Sequence, residues 1–322
     1  MRLRSPSSAA SRLVLLTVLV LAAGCSPTSG ALGTPATPQS TAVPSVAQAS
    51  GDVTPAPTAT GQASPAETPG PSIAGSTIVR VYLIAAASGT TADPVIVPVL
   101  RGVPRTLAVA SAAMSSLLAG PDPKLDAGIS LATTIPTGTR LLGIALADGV
   151  ATVDLSAEYA SGGGSASMFA RLAQVVYTLT QFPTVASVRF ELDGVPVTTF
   201  SGEGIVLDHP VGRADFRGQL PAIFVDRPAL GAAAGNPARI SGVANVFEAT
   251  FRARLADATG TVLVDQQVSA SCGTGCWGDF SASLSYAVAT AQWGTLRVYD
   301  LSPKDGTPEN ITEYPVWLTP AG

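Results

Sequence analysis

Hydrophobic and polar positions along this chain change rhythm three times, and each change marks a different kind of segment. Leu13–Ala23 is a short apolar run behind Arg2, Arg4 and Arg12. From Ser26 to Ser72 periodicity vanishes: the stretch has no aromatic residue, no Lys and no Arg, and prolines recur from Pro27 to Pro71. Order is expected from Thr77. Thr77–Ile84 alternates Ile78, Arg80 and Tyr82 against Val79, Val81 and Leu83, the period of a strand, and Val95–Arg101 reads as a second one. Thr106 then caps a predicted helix with Leu107, Ala110, Met114, Leu117 and Leu118 on its apolar face, ending at Gly120-Pro121. Leu141–Leu146 and Val150–Leu155 flank Asp148-Gly149, a dipeptide suited to the positive φ angles of a tight hairpin. Ser165–Gln181 predicts a second helix, with Phe169, Leu172, Ala173, Val176 and Leu179 on one face and Pro183 as its stop. Val185–Leu192 and Pro196–Phe200 predict a closing hairpin around Asp193-Gly194. Two helices on an antiparallel or mixed sheet make an α+β domain over residues 76–217.

Near Ile223 the spacing shortens. Strands are expected at Ile223–Val225, Ala238–Ala244, Ala249–Ala256, Val262–Ser269, Phe280–Tyr286, Gly294–Tyr299 and Tyr314–Leu318. Turn signals at Asp257–Gly260 and Lys304–Gly306 separate some of them. Short strands without a helical period predict an all-β sandwich of immunoglobulin type over 218–322.

Composition narrows the function classes. The chain has 322 residues and a formal net charge of −4, with 12% charged residues. Without a leader about 300 residues remain, enough for two domains. A nucleic-acid reader needs a basic patch, and the sequence supplies none; Lys124 and Lys304 are its only lysines. No motif calls for a cofactor or a metal.

The apolar run is well short of the ~20 residues that span a bilayer as a helix. Basic start, apolar core and small residues before a cysteine read as a signal peptide over 1–24. The stretch Leu21-Ala22-Ala23-Gly24-Cys25 resembles the bacterial lipobox, with Ala22 where leucine is commonest. That resemblance implies cleavage before Cys25 and its lipidation, which would hold the chain at the outer face of the cytoplasmic membrane; multiple acyl chains suffice for stable anchoring. Ordinary secretion with a free cysteine is the alternative. Residues 25–75 cannot bury enough apolar surface to offset ordering entropy and are expected to form a tether, on the order of 150 Å at full extension. With Cys25 lipidated, Cys272 and Cys276 remain as a pair in an oxidising compartment, and a disulfide is expected. Zinc ligation would need four ligands for a closed structural site.

Two resemblances extend this reading. Thr134-Ile-Pro136-Thr-Gly138-Thr139, Val150-Ala-Thr-Val153-Asp154-Leu155-Ser156, Arg171–Thr180 and Val188-Arg189-Phe190-Glu191-Leu192-Asp193-Gly194 occur in the order seen in the GerMN domain of sporulation and spore-germination proteins, which residues 76–212 resemble. Arg239–Ala249, Cys272–Gly278 and Glu313–Leu318 resemble the immunoglobulin-like domain that often follows it in bacterial envelope proteins. These resemblances imply binding or assembly modules, with an envelope protein, a second copy or peptidoglycan as partner.

Candidate chemistry is sparse. His209 is the single histidine, and no Gly-x-Ser-x-Gly elbow accompanies it, so a loop role is expected rather than a hydrolase base. Asp154, Glu158, Glu191, Asp193, Glu203 and Asp208 could supply two carboxylates for glycan cleavage, but spacing alone cannot place a pair across a substrate. Ser161-Gly162-Gly163-Gly164-Ser165 precedes a helix but lacks the P-loop lysine and follows no clear parallel strand–helix unit. A flexible turn with Ser165 or Ser167 as N-cap is expected there. Trp277, beside the cysteine pair, is a candidate binding anchor, with packing into the sandwich as the alternative. The expectation is a non-enzymatic, membrane-anchored binding or assembly module. Alternatives are a regulator of a membrane sensor kinase or wall enzyme, or a protein that binds or hydrolyses cell wall.

Overall fold

The computed structural model describes residues 76–85, 94–126, 129–202 and 204–321. Cys25, the leader, the segment Ser26–Ser72 and Glu203 lie outside the described residues. The first domain contains β1 (Thr77–Ala85), β2 (Val95–Val103), α1 (Val109–Leu118), β3 (Leu131–Ala132), β4 (Leu141–Ala147), β5 (Val150–Leu155), α2 (Ser165–Leu179), β6 (Ser187–Leu192), β7 (Val195–Pro196), β8 (Thr199–Phe200) and β9 (Ile205–Val206). β2-β1-β3 form one sheet and β4-β5-β6-β7 another. The second sheet is mixed, because β5 and β6 run parallel while β4 and β7 are antiparallel to their neighbours. α2 makes the crossover between β5 and β6.

Both Asp-Gly turns form as expected, with positive φ at Asp148, Gly149, Asp193 and Gly194. Gly120, at φ +74°, stops α1. Four expectations need correction. α1 starts at Val109 with Ala108 as N-cap; Thr106 lies two residues before that cap, and Leu107 is fully exposed rather than on the apolar face. Thr199–Phe200 pairs with Ile205–Val206, so the return onto β6 ends at Val197, whose N–H donates to Phe190 C=O (3.0 Å). The glycine-rich stretch does lie in a parallel β–α–β unit, between β5 and α2. Gly164, not Ser165 or Ser167, is the α2 N-cap.

The largest departure concerns the faces of α2. Phe169 is 37% exposed, whereas every residue from Ala170 to Leu179 is buried, including Arg171, Gln174 and Thr178. These polar side chains act in place of a missing strand. Tyr82 and Arg80 turn their N–H and C=O groups away from β2, and β3 reaches only Ile84 and Ala85. Gln181 accepts from Arg80 N–H (2.7 Å) and donates to Arg80 C=O (2.6 Å). Thr178 Oγ1 accepts from Tyr82 N–H (3.2 Å), and Gln174 Nε2 donates to Tyr82 C=O (2.9 Å). Buried backbone groups must find partners, and here side chains of α2 and of the turn after it supply them. Arg171 serves the loops in the same way, donating to the carbonyls of Thr134, Tyr159, Ser161 and Gly162. The glycine-rich turn is therefore pinned by a guanidinium, and its Ser161 and Gly162 carbonyls face a cation of the chain itself.

The second domain contains β10 (Ile223–Arg227), β11 (Ala238–Ala244), β12 (Thr250–Asp257), β13 (Val262–Ser269), β14 (Gly278–Leu284), β15 (Gln292–Leu301) and β16 (Pro308–Leu318). Sheets β10-β11-β14 and β13-β12-β15-β16 enclose a core that includes Ile240, Phe251, Leu255, Phe280, Leu296, Val316 and Leu318. Phe251 and Phe280 meet edge to face at 4.8 Å. Gly242 lies opposite the β10 bulge, where a Cβ would fall 1.9 Å from the Phe224 carbonyl oxygen.

One hydrophobic cluster includes residues of both domains. The segment Ala229–Ala234 stitches their edges together. Leu230 N–H donates to Pro98 C=O on β2 (3.0 Å), Gly231 N–H to Pro315 C=O on β16 (2.8 Å), and Trp317 N–H to Ala232 C=O (2.8 Å). Pro98 fits because β2 is otherwise an edge strand, and only its carbonyl is required on that side.

Candidate binding surface

Two clusters combine Arg, Asp and Tyr side chains, one at the junction of the domains and one on an outer sheet face. At the junction, Tyr82 comes from β1, Tyr177 from α2, Arg213 from a 3-10 segment over Arg213–Gln219, and Asp226 from the end of β10. Tyr82 donates to Asp226 Oδ1 (2.5 Å), and Arg213 Nη1 donates to Asp226 Oδ2 (3.1 Å). Arg213 Nη2 donates to the Tyr82 hydroxyl (2.9 Å), and its Nε to Thr180 Oγ1 (2.9 Å). The guanidinium also lies 4.7 Å from the Tyr177 ring centre. Burial pushes the Tyr82 phenol above its ordinary range, so it remains a donor. Burial works to raise Asp226, but Arg213 and Arg80 outweigh it and hold the carboxyl below the usual range. The carboxylate thus receives three hydrogen-bonding and ionic partners from the first domain and its connection.

The second cluster forms because alternate residues of a strand share a face. On β12 the outward positions are Arg252 and Arg254; on β15 they are Trp293, Thr295, Arg297 and Tyr299. Asp265 on β13 receives Arg252 Nε (2.8 Å) and Arg254 Nε (2.8 Å), one on each carboxylate oxygen. Tyr299 donates to Asp265 Oδ2 (3.1 Å), while Arg254 and Arg297 lie 5.5 and 5.6 Å from its ring centre. Burial would raise the Asp265 carboxyl, but hydrogen bonds from Arg254 and Arg252 lower it. Arg297 meets Glu313 at 3.7 Å, and its Nε is buried without a hydrogen-bond partner. At the other end of the face Trp293 is 44% exposed and meets its cross-strand partner Trp317 edge to face at 5.3 Å.

The residues singled out from sequence lie apart from both clusters. Cys272 and Cys276 are joined by a disulfide, with Cα atoms 5.8 Å apart. Trp277 beside it is half-buried and packs against the main core. His209 is exposed, with Nδ1 2.6 Å from Asp208 Oδ1. Asp154 accepts from Gly194 N–H (3.0 Å) and so braces the Asp193-Gly194 turn, while Glu158 meets Arg140 at 3.7 Å. Of the suggested acids, Asp154 and Glu191 are register neighbours on β5 and β6. Among the described residues no group of three or more His, Cys, Asp or Glu could hold a metal ion, and no helix is long and apolar enough to cross a membrane. The sequence reading missed Arg213, Asp226 and the outward residues of β12 and β15. Period-2 spacing of Arg252 with Arg254 and of Arg297 with Tyr299 was the available signal.

Comparison with known proteins identifies both halves. Residues 80–198 match the family model for sporulation and spore germination, and residues 222–307 match the immunoglobulin-like domain of bacterial spore germination. Among solved structures, the first GerMN domain of the sporulation protein GerM from Bacillus subtilis is 20% identical, covering 43% of this chain and 99% of that one, with a TM-score of 0.35. The tandem GerMN domains of the same protein are 16% identical, covering 65% and 61%, also at 0.35. A candidate lipoprotein from Clostridium perfringens is 23% identical over 44% of this chain and 91% of its own, at 0.30. No curated protein matches the chain. The chain carries a GerMN domain followed by a Gmad2-type immunoglobulin-like domain of bacterial spore germination.

Proposed function

We propose that this chain is a non-enzymatic cell-envelope lipoprotein, anchored through Cys25, whose tandem domains act as one binding and assembly body. The junction carries this reading. Asp226 of the second domain is held by Tyr82 and Arg213 of the first domain and its connection, and Ala229–Ala234 joins strands of both. A body fixed in this way presents its surfaces in a constant relative orientation. Residues 25–75 then serve as a spacer, and confinement near one membrane raises the effective concentration of weak contacts. The partner is an envelope component: a protein, a second copy or a wall polymer.

In-cell cross-linking of the lipidated protein combined with Cys25→Ser tests this reading. Membrane retention should be lost in Cys25→Ser, and unchanged retention would refute the anchor. Cross-links mainly to a second copy or an envelope polymer fit a binding and assembly role. Cross-links concentrated on a sensor kinase or a wall hydrolase would replace it with the regulatory one.

A further inference from the structure

We infer that the outer face of β13-β12-β15-β16 is a docking surface for an anionic polysaccharide, with Trp293 stacking on a sugar ring and Arg297 and Arg254 receiving its acid groups. The inference rests on the reading of the chain as an envelope binding body and names the polymer class for one surface. Three observations carry it. First, the face is locally cationic on a chain of net charge −4: Arg252, Arg254 and Arg297 face Asp265 and Glu313. Asp265 binds two of these arginines, and Glu313 stands at 3.7 Å from the third and is itself exposed.

Second, Arg297 has a donor in excess. Its ionic partner Glu313 stands at 3.7 Å, beyond hydrogen-bond reach, and the side chain is one-third exposed, so the outer guanidinium nitrogens can donate to an incoming oxyanion. Stacking on Tyr299 fixes the orientation of its guanidinium, and a planar fork suits a carboxylate or phosphate. Third, the exposed indole lies on the same face of the same strand. Six residues separate Trp293 from Tyr299, about 20 Å along β15. Thr295 lies between them and is half-buried, so the face offers an apolar platform at one end and fixed cations at the other.

This combination selects among partners. A nucleic-acid strand is held by several phosphate neutralisations, for which one uncompensated cation is too few. The centre of a protein interface is depleted in charge, whereas this face carries three arginines and two acids. A flat strip with an aromatic platform and a few convergent donors suits an extended sugar chain carrying acid groups.

The test uses the full chain in detergent and measures retention on immobilised polygalacturonate, on a teichoic acid with sugar rings in its phosphate-linked backbone and on neutral dextran. Binding is expected to at least one acidic polymer and not to dextran, and it should weaken as salt rises. Polygalacturonate alone would assign carboxylate recognition, and teichoic acid alone phosphate recognition. Arg297→Gln and Trp293→Ala should each weaken binding by about tenfold. Arg189→Gln, an exposed arginine on β6 of the first domain, should bind as the parent does. Trp293 also packs on Trp317, so circular dichroism at the assay temperature is used to establish that its variant is folded before binding is compared. Equal retention on dextran, no retention on either acidic polymer, or unchanged binding by both variants would overturn the assignment. Such a result with membrane retention through Cys25 intact would remove this surface and leave the anchored module standing.

Discussion

The two Arg–Asp–Tyr clusters use the same three residue types to opposite ends. At the junction Tyr82, Arg213 and Asp226 come from separate elements and lie deep in the fold, with Tyr82 fully buried and Asp226 keeping 19% of its side chain exposed. On the outer sheet face Arg252, Arg254 and Asp265 come from adjacent strands and remain partly accessible beside a buried Tyr299. Identical chemistry acts as a lock deep between two domains and as a receptive surface on an outer sheet face. At the deep site, removing one partner leaves a charge that water solvates poorly. In the exposed case, water replaces the lost partner, and little stability changes.

Point changes should expose this difference. Arg213→Ala should be the most damaging, costing about 3 kcal/mol because Asp226 is left charged at the junction; thermal melts should show a fall of about 6–12 °C. Tyr82→Phe keeps the ring packing and removes one donor to Asp226, so about 1–2 kcal/mol is expected from chemical denaturation. On the outer face, Arg254→Ala should cost less than about 1 kcal/mol. A loss there equal to that of Arg213→Ala would abolish the distinction between lock and surface.

Acid provides a finer contrast. Both Asp226 and Asp265 are held below the ordinary carboxylate range. Each therefore contributes stability that is present above the unfolded carboxyl value of about 4 and is lost as pH falls through its lower folded value. Added salt should erase the Asp265 contribution while leaving most of that of Asp226. Titrating the stability of Asp226→Asn and Asp265→Asn from pH 5 to pH 2, at low and high salt, checks this; equal salt sensitivity in the two would contradict it.

Local signals in the sequence were read well because they need no partner. Asp148-Gly149 and Asp193-Gly194 dictate their own backbone, and the alternation of Val79, Val81 and Leu83 marks β1. What the sequence concealed depends on distant chain. Gln174 and Gln181 look like the solvent-facing side of an amphipathic helix, yet they satisfy backbone groups of β1 that lie 92 and 101 residues away. Phe169, expected in the core, is displaced outward because the helix is enclosed on the sides that hold Arg171 and Gln174. Tyr82 and Asp226 are 144 residues apart, and no period links them. The outer face was half visible: the strand pattern supplies its arginines, but pairing between strands is needed to bring Asp265 and Tyr299 to them.

Scanning calorimetry of the full chain tests the single-body account most directly. One transition is expected, with calorimetric and van't Hoff enthalpies in agreement, and Arg213→Ala should broaden or split it. Two separate transitions in the unaltered chain, one for each domain, would show that the junction does not lock them and would contradict the account.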